Sequence, residues 1–399
     1  MLFPYAPLPP PLDLGGTKRN LPFLNENLKR HEVSVLSYGT QEEKQKFVDS
    51  IGKACKYVRF VNRKRPRIIN GLEQLWLLVT GRSTFRQLYR KRMQEQLDKL
   101  LREEKFDILH CCTQMFGYFR FPKDIPVVSD THEVTYDLLH RTSKNTKNIF
   151  VKLMSYLGYK FGKPEEIEVC KKFDAIIATT ERDYEVFRKD LPDQKMFVIQ
   201  NGVDPAFLEF NRGEPEPKTM VFTGKMSFYP NNHGIIYFLE EIFPRIQLQE
   251  PSARLYVVGV YPSKELLRRA SEHVVVTGFV EDVRPYMARA EVYIIPLLIG
   301  GGIRGKALEA MAMKKPIVST SIGCEGINLK HGESALFADT PEEFAAGVLR
   351  LFNGRALRTK LGQKAYEIVV REYDWKAKGE ELDRVYQTVV LNGVAHRVG

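Results

Sequence analysis

Short apolar runs alternate with longer amphipathic stretches along this chain, most cleanly in its second half. There MVFTG (220–224), ARLYVVG (253–259), HVVVTG (273–278), EVYIIP (291–296) and PIVST (316–320) read as strands. Each is brief, rich in β-branched residues and bounded by turn residues. Helical patterns over 232–247, 263–270, 281–289 and from about 303 separate them. Alternation of this kind predicts a doubly wound parallel sheet. The first half opens with a short strand (Leu2–Tyr5), a Pro-rich loop and the pair Gly15–Gly16. A helical stretch over about 20–30 and an alternating strand from His31 to Ser37 follow. FDILHCC (106–112), PVVSD (126–130) and DAIIATT (174–180) then read as buried parallel strands, and MFVIQNGVD (196–204) as a strand ending in a turn. The polar, Pro- and Gly-rich stretch at about 205–217 predicts a linker. Two α/β domains are therefore expected, 1–205 and 206–375, with the helical tail 376–399 packing back on the first.

With 43% hydrophobic and 27% charged residues, the 399-residue chain has the composition of a soluble globular protein. No apolar run approaches the ~20 residues of a membrane span, and the N-terminus lacks the basic n-region of a signal peptide. The five cysteines, Cys55, Cys111, Cys112, Cys170 and Cys324, show no CxxC spacing. That argues against a zinc site or a disulfide framework and makes a reducing cytoplasm the expected location. Charge is unevenly placed. Residues 51–92 hold twelve Lys or Arg and one acid, Glu73, an excess equal to the net charge of +11 for the whole chain. A local surplus of this size points to an anionic partner.

The candidate chemistry lies in PLLIGGGIRGKALEAMA (296–312), which leaves a strand and enters a helix. Gly300, Gly301, Gly302 and Gly305 let a ligand approach the backbone. The amides of the helix start favour an anion, and Arg304 and Lys306 add positive charge. Glu309, one turn past Lys306, is placed to accept from a ribose diol. This is neither a Walker A loop nor a GxGxxG fingerprint. Local chemistry leaves two readings open: a nucleotide diphosphate site, or an ordinary Gly-rich strand–helix connection.

The second half resembles glycosyltransferase family 4. The resemblance rests on FTGKMSFYPNNHGIIYFLEEIFP, LYVVGVYPS, VVVTGFVEDVRPYMARAEVYIIPL, GGGIRGKALEAMAMKKPIVSTSIGCEGI and the later YDW, in order over about 180 residues. In the first half PPPLDLGGTKRN, VVSDTHEV and VIQNGVD also look like family elements. Residues 50–105 match least. The resemblance implies a GT-B fold, two Rossmann-like domains facing across a cleft. It also implies sugar transfer from a nucleotide-sugar donor with retention of configuration, and with no metal or other cofactor.

Residue by residue, the resemblance makes Glu309 the second glutamate of the family's E-x7-E motif. The first would fall at Gly301, as in a subset that carries GGGxRxK there. Backbone amides near Gly302, Ile303, Arg304 and Gly305 would then handle sugar and phosphate. Lys225 matches the first of a basic pair after the domain's first strand. The residues Pro230, Asn231 and Asn232 stand where the second would be, so Lys225, Arg304 and Lys306 are expected to form the phosphate cluster. Gly15 and Gly16 match the glycine loop of the first domain. His132 matches a cleft histidine that meets the donor sugar, with Glu133 beside it as a candidate to orient an acceptor hydroxyl. Phe279 and Val280 match the segment that meets the nucleobase.

The acceptor expected on this resemblance is a glycan or lipid-linked molecule, as in cell-surface polysaccharide or glycolipid assembly. Residues 51–92 mix their charge with apolar groups, and 141–163 holds six Lys or Arg and no acid among aromatic and aliphatic residues. Basic amphipathic segments of this kind lie on anionic lipid, so a peripheral membrane contact through both is expected. Nucleic acid is not expected, because no reading module is present. Two alternatives stay open: another GT-B enzyme, an epimerase or phosphorylase, or a non-catalytic protein binding an anionic ligand.

Overall fold

The computed structural model describes residues 1–8, 17–62, 73, 77, 82–83, 86, 88–210 and 213–398, with side chains as far as Leu391. The chain divides into two compact bodies, Met1–Gln200 joined by the residues from Lys376 onward, and Asn201–Trp375. The stretch that reads as a linker is partly structured. A short helix occupies Pro205–Leu208 and the next strand begins at Glu216. Residues 201–203 are already tied to the second body: Val203 N donates to Tyr373 O at 2.8 Å.

In the first body seven parallel strands form one sheet. They are β1 (Leu2–Phe3), β2 (Val35–Tyr38), β3 (Val58–Val61), β4 (Leu109–Cys111), β5 (Val127–Asp130), β6 (Ala175–Ala178) and β7 (Met196–Val198), ordered β3-β2-β1-β4-β5-β6-β7. β2, β4, β5 and β6 are buried along their whole length, as a sheet covered on both faces requires. The flanking helices are α1 (Thr17–Leu28), α2 (Gln41–Ser50), α3 (Lys91–Glu103), α4 (Thr135–Asn145), α5 (Ile149–Cys170) and α6 (Glu181–Asp190). α2 and β3 have weak sequence signals. α2 buries only Phe47 and is started by a capping box between Thr40 and Glu43. β3 is an edge strand with only Val61 fully buried.

The second body holds β8 (Glu216–Thr223), β9 (Arg254–Val258), β10 (Val274–Gly278), β11 (Ala290–Ile295), β12 (Ile317–Ser319) and β13 (Leu336–Phe337). They form a parallel sheet ordered β10-β9-β8-β11-β12-β13. Around it pack α7 (Tyr229–Tyr237), which continues through a π-turn at Phe238–Ile242 into α8 (Phe243–Gln249), then α9 (Arg284–Arg289), α10 (Gly305–Ala312), α11 (Pro341–Asn353) and α12 (Arg355–Glu372). Strand order reverses between β8 and β11. In an open α/β sheet such a reversal opens a crevice at the carboxyl ends of the two strands.

The C-terminal helix (Trp375–Val398) packs on the first body. Leu382, Val385, Tyr386 and Val389 are buried, and Tyr386 shares a hydrogen bond of 2.6 Å with His110 Nδ1. Gly379 lies so close to α1 that a Cβ there would stand 2.7 Å from Glu26 Cβ.

One ion pair sits at the centre of the first body. Arg19 and Asp130 are each 1% exposed. Arg19 Nε donates to both carboxylate oxygens at 3.0 and 2.9 Å, and an Nη donates at 2.6 Å. Removing one partner of such a pair leaves a buried charge uncompensated, whereas removing both is far milder. Arg19→Met is expected to lower unfolding free energy by roughly 3–5 kcal/mol. The double variant Arg19→Met/Asp130→Asn is expected to lose less. Urea denaturation of the three proteins checks the order.

Candidate functional site

The loops after β8 and β11 flank the crevice of the second body. Two glycines allow the strand ends to approach. Gly224 has φ +153° and Gly259, which follows β9, has φ +145°; a Cβ on Gly259 would fall 1.8 Å from Gly224 O. No side chain fits there. The segments after β8 and β9 then continue as paired backbone, Gly224 N to Val258 O at 3.0 Å and Met226 N to Val260 O at 2.9 Å.

Across the crevice, Lys306 Nζ donates to Asn231 Oδ1 at 2.8 Å and lies 3.9 Å from the centre of the Phe222 ring. Asn231 Nδ2 in turn donates to Lys225 O at 2.9 Å. Asn231 thus links the Lys306 ammonium, on the first turn of α10, to the backbone carbonyl of Lys225 on the loop after β8. Asn231 is the residue standing where the family's second basic group was expected.

Arg304 has a different role from the one expected of it. Its guanidinium turns inward, donating to Gly301 O and Gly302 O, and to Ile322 O at 3.3 Å. Only 8% of the residue is exposed. Arg304 thus shapes the glycine loop, which leaves Lys225 and Lys306 as the expected cationic residues not turned into it. Gly300 packs flat on that guanidinium, where a Cβ would meet Nη2 at 2.3 Å. Gly302 needs its positive φ of 65°. Gly305 differs from both: a Cβ there would meet nothing within 4 Å. The protein's own packing does not require glycine at the first residue of α10. Of the first-turn amides beside it, that of Ala307 donates to Arg304 O at 2.9 Å. Ile303 and Glu309 are buried. Phe279 and Val280 follow β10, Phe279 with 56% of its surface exposed and Val280 packed against the core.

In the first body, Gly15 and Gly16 lie outside the described residues. His132 and Glu133 are half-buried on the loop after β5. Thr131 Oγ1 to Ile177 O (2.8 Å) and Thr179 Oγ1 to His132 O (3.1 Å) fix that loop. His132 Nε2 lies 3.2 Å from Asn20 Oδ1. An amide oxygen only accepts, so Nε2 carries the hydrogen and Nδ1 is left as acceptor. Burial drives the His132 pKa down to about 4, with Arg19 adding to the fall and Asp130 opposing it. His132 is therefore a neutral hydrogen-bonding group at pH 7. His110 is likewise held near 4, chiefly by burial. For Asp130, burial pushes upward but Arg19 outweighs it and holds the carboxyl below its ordinary value.

The sequence reading missed Glu166. Its buried carboxylate accepts from Gln114 Nε2 (2.8 Å), Thr135 N (3.0 Å) and Tyr136 N (2.9 Å), capping α4 directly after the His132–Glu133 loop. The cap comes from Glu166, 31 residues beyond Thr135, and no local pattern announces it. Burial raises the Glu166 pKa to about 7. A cleft of about 720 Å³ also opens at the N-terminal ends of β1, β2 and β4, lined by His31, Leu97, Phe106, His110, Asp383 and Tyr386 among others. None of the expected site residues lines it.

The basic segments divide sharply. Within 51–92, Arg63, Lys64, Arg65 and Arg67 lie outside the described residues. Of those described, Lys56 pairs with Glu32 and Glu104, Arg59 with Glu103, Arg86 with Glu165 and Arg90 with Glu73. Carboxylates remote in sequence absorb much of that charge. At the tip of the α4–α5 hairpin, Ile149, Phe150, Leu153 and Tyr156 are exposed, Ile149 to 83%. Lys144, Lys147, Lys152 and Lys160 flank them. Among the described residues no helix is long and apolar enough to cross a membrane.

The depressed His132 pKa has a measurable consequence. Below the ordinary value of 6.5 the unfolded chain takes up a proton that the folded protein refuses until about pH 4. Stability is lost as pH falls through that window. Glu166 acts in the opposite sense, its stabilising share being full below 4.5 and fading as pH rises through about 7. Comparison with a variant isolates the histidine. Denaturation midpoints from pH 7 to 4 are expected to fall less steeply for His132→Gln than for wild type.

Residues 217–354 match the family model "Glycosyl transferases group 1", and residues 23–207 match "Glycosyltransferase Family 4". An uncharacterized 44.6 kDa protein in the cps region of Klebsiella pneumoniae is 22% identical over 87% of this chain and 89% of its own. The phosphatidyl-myo-inositol mannosyltransferase of Mycobacterium tuberculosis is 27% identical, over 50% of this chain and 56% of its own length. Among solved structures, Anabaena HepE in complex with UDP and glucose superposes with a TM-score of 0.67 at 14% identity, covering 97% of this chain and 98% of that one. Sucrose-phosphate synthase from Thermosynechococcus elongatus gives 0.66 at 15% identity, covering 98% of each. With two parallel Rossmann-like sheets and both halves matched by glycosyltransferase models, the chain is a glycosyltransferase of the GT-B fold.

Proposed function

We propose that the crevice of the second body binds the nucleoside diphosphate of a sugar donor, and that the enzyme transfers the sugar with retention and without a metal. The observation that carries this reading is the convergence of Lys225, Lys306 and the α10 amides at the strand-order reversal. The leaving diphosphate gains negative charge as the glycosidic bond breaks. Preorganised cations and amides stabilise that charge more than the ground state. Buried Glu309 takes the ribose, and Phe279 with Val280 the base. Gly301 has no side chain, so backbone amides of the loop handle the sugar. His132, neutral, and Glu133 are the hydrogen-bonding candidates of the first body. The donor base is an open variable of this proposal. UDP is named with HepE, and that is a statement about HepE.

A panel of UDP, GDP, ADP, CDP and dTDP against thermal unfolding tests the site, since a ligand of the native state raises the melting temperature. One nucleotide is expected to stabilise the wild type, and the shift is expected to vanish in Glu309→Ala. Gly305→Ala is the sharper variant. It should melt at or above wild type, because alanine favours helix over glycine by up to about 1 kcal/mol. It should also respond less to nucleotide, because the methyl stands where the ligand approaches. No shift with any nucleotide at millimolar concentration would sink the reading.

The acceptor is proposed to be a glycan or lipid-linked molecule at an anionic membrane surface, in polysaccharide or glycolipid assembly. Of the two basic segments, the α4–α5 tip is the favoured contact, because its exposed apolar residues and its lysines coincide. Burying such a face in the headgroup region adds apolar transfer to electrostatic attraction. Wild type is expected to float with phosphatidylglycerol-containing vesicles at low salt and to be released at high salt. The double variant Ile149→Asp/Phe150→Asp should stay in the pellet. Failure of wild type to float would end the membrane proposal while leaving the donor site intact.

A further inference from the structure

Tyr261 carries an unusual combination of features. Its φ is +56°, in the left-handed region, and the residue after it is Pro262. A bulky side chain pays about 1–2 kcal/mol for that conformation, and a following proline favours extended backbone instead. Two other non-glycine residues share a positive φ among the described residues, Lys218 and Lys314. Both have structural grounds. Lys218 sits in β8 where its pairing with β11 shifts register, and its amide donates to Glu291 at 2.9 Å. Lys314 follows the end of α10, a usual place for a left-handed residue. Tyr261 has neither excuse, and packing does not repay the strain, since 69% of the residue is exposed.

What the ring does touch is Lys225. The ammonium lies 5.7 Å from the ring centre, within cation–π range. The contact is arranged by the zipped loops, Met226 N to Val260 O, which set the residue after Lys225 against the residue before Tyr261. Lys225 has no carboxylate partner among the described residues. Strain held at the rim of a binding crevice, by a residue with no packing role, is the pattern of a functional constraint.

We infer that Tyr261 is a positioning residue for the donor: its ring holds the Lys225 ammonium over the diphosphate. The inference rests on the donor-site reading above and adds a residue to it. A lysine on a flexible four-carbon stem loses rotamer freedom when it binds an anion, and a ring that fixes it beforehand removes part of that cost. Glycine removes both the strain and the ring, whereas phenylalanine keeps both, so strain and affinity can be followed separately.

The test titrates UDP and GDP, each with its monophosphate as a reference, into wild type, Tyr261→Gly, Tyr261→Phe, Lys225→Met and the double variant Lys225→Met/Tyr261→Gly. Tyr261→Gly is expected to melt at or above wild type, because glycine accepts the left-handed conformation. It should nevertheless bind the diphosphate about 3–10-fold more weakly, the value of one cation–π contact. Tyr261→Phe should retain the affinity. In the double variant the loss should not exceed that of Lys225→Met alone, because both act through one contact. An unchanged affinity in Tyr261→Gly, or losses that multiply in the double variant, would overturn the inference and leave the donor site standing. A wild type that binds neither diphosphate would overturn both.

Discussion

The second body depends on one backbone approach. Gly259 lies against Gly224 so closely that any side chain at 259 would collide with the carbonyl of 224. Because of this approach, the loops after β8 and β9 continue as a paired ribbon past the edge of the sheet. That ribbon sets Lys225 beside Tyr261 on one side, and Gly224 beside the Lys306 ammonium on the other. The crevice at the strand reversal would exist without it, since strand order alone makes one. Its positive charge would not be aimed.

The first body is organised by an opposite device, a charge pair fully removed from water. Arg19 and Asp130 compensate one another, and the two nearby histidines stay neutral because burial outweighs the attraction of Asp130. Neutrality determines what His132 can do. On the proposed role, an uncharged imidazole suits a sugar hydroxyl better than a phosphate. The hairpin that begins directly after His132 and Glu133 is pinned at its base by Glu166 and exposes its apolar tip some 10 residues on. At 1.5 Å per residue that is about 15 Å. The length of α4 therefore separates the loop carrying His132 from the surface proposed to meet lipid.

The β-branched strands of the second half, and the reversal they build, were legible because each is short, buried and cleanly bounded. β3 was not, since VRFV places an arginine inside an edge strand. Nor was α2, whose only buried side chain is Phe47. Lys225, Lys306 and Glu309 were legible as candidates, but the employment of Arg304 was not. A guanidinium in a glycine loop reads as an anion clamp until the carbonyls of Gly301, Gly302 and Ile322 are seen to enclose it. The same blindness to distance hid Asp130 behind Arg19, 111 positions away, and Asn231 behind Lys306, 75 positions away. Nor were the carboxylate partners of Lys56, Arg59 and Arg86 legible in the basic stretch 51–92, because Glu32, Glu103, Glu104 and Glu165 lie outside it.

Gly300, Gly302 and Gly305 separate two reasons for which a sequence keeps glycine. Gly300 is demanded by a neighbour, the Arg304 guanidinium, and Gly302 by its own dihedral. Either could be conserved by folding alone. Gly305 is demanded by neither: it opens a helix, where alanine is the better residue, and faces empty space. On the donor-site proposal, that open space is where the ligand comes close to the backbone. Tyr261 makes the complementary case, a side chain kept where glycine would be easier. The two stand on different loops of one sheet edge, and the charge between them is Lys225 and Lys306. On the donor-site proposal, both departures from local preference have one cause, the diphosphate that the two lysines would meet.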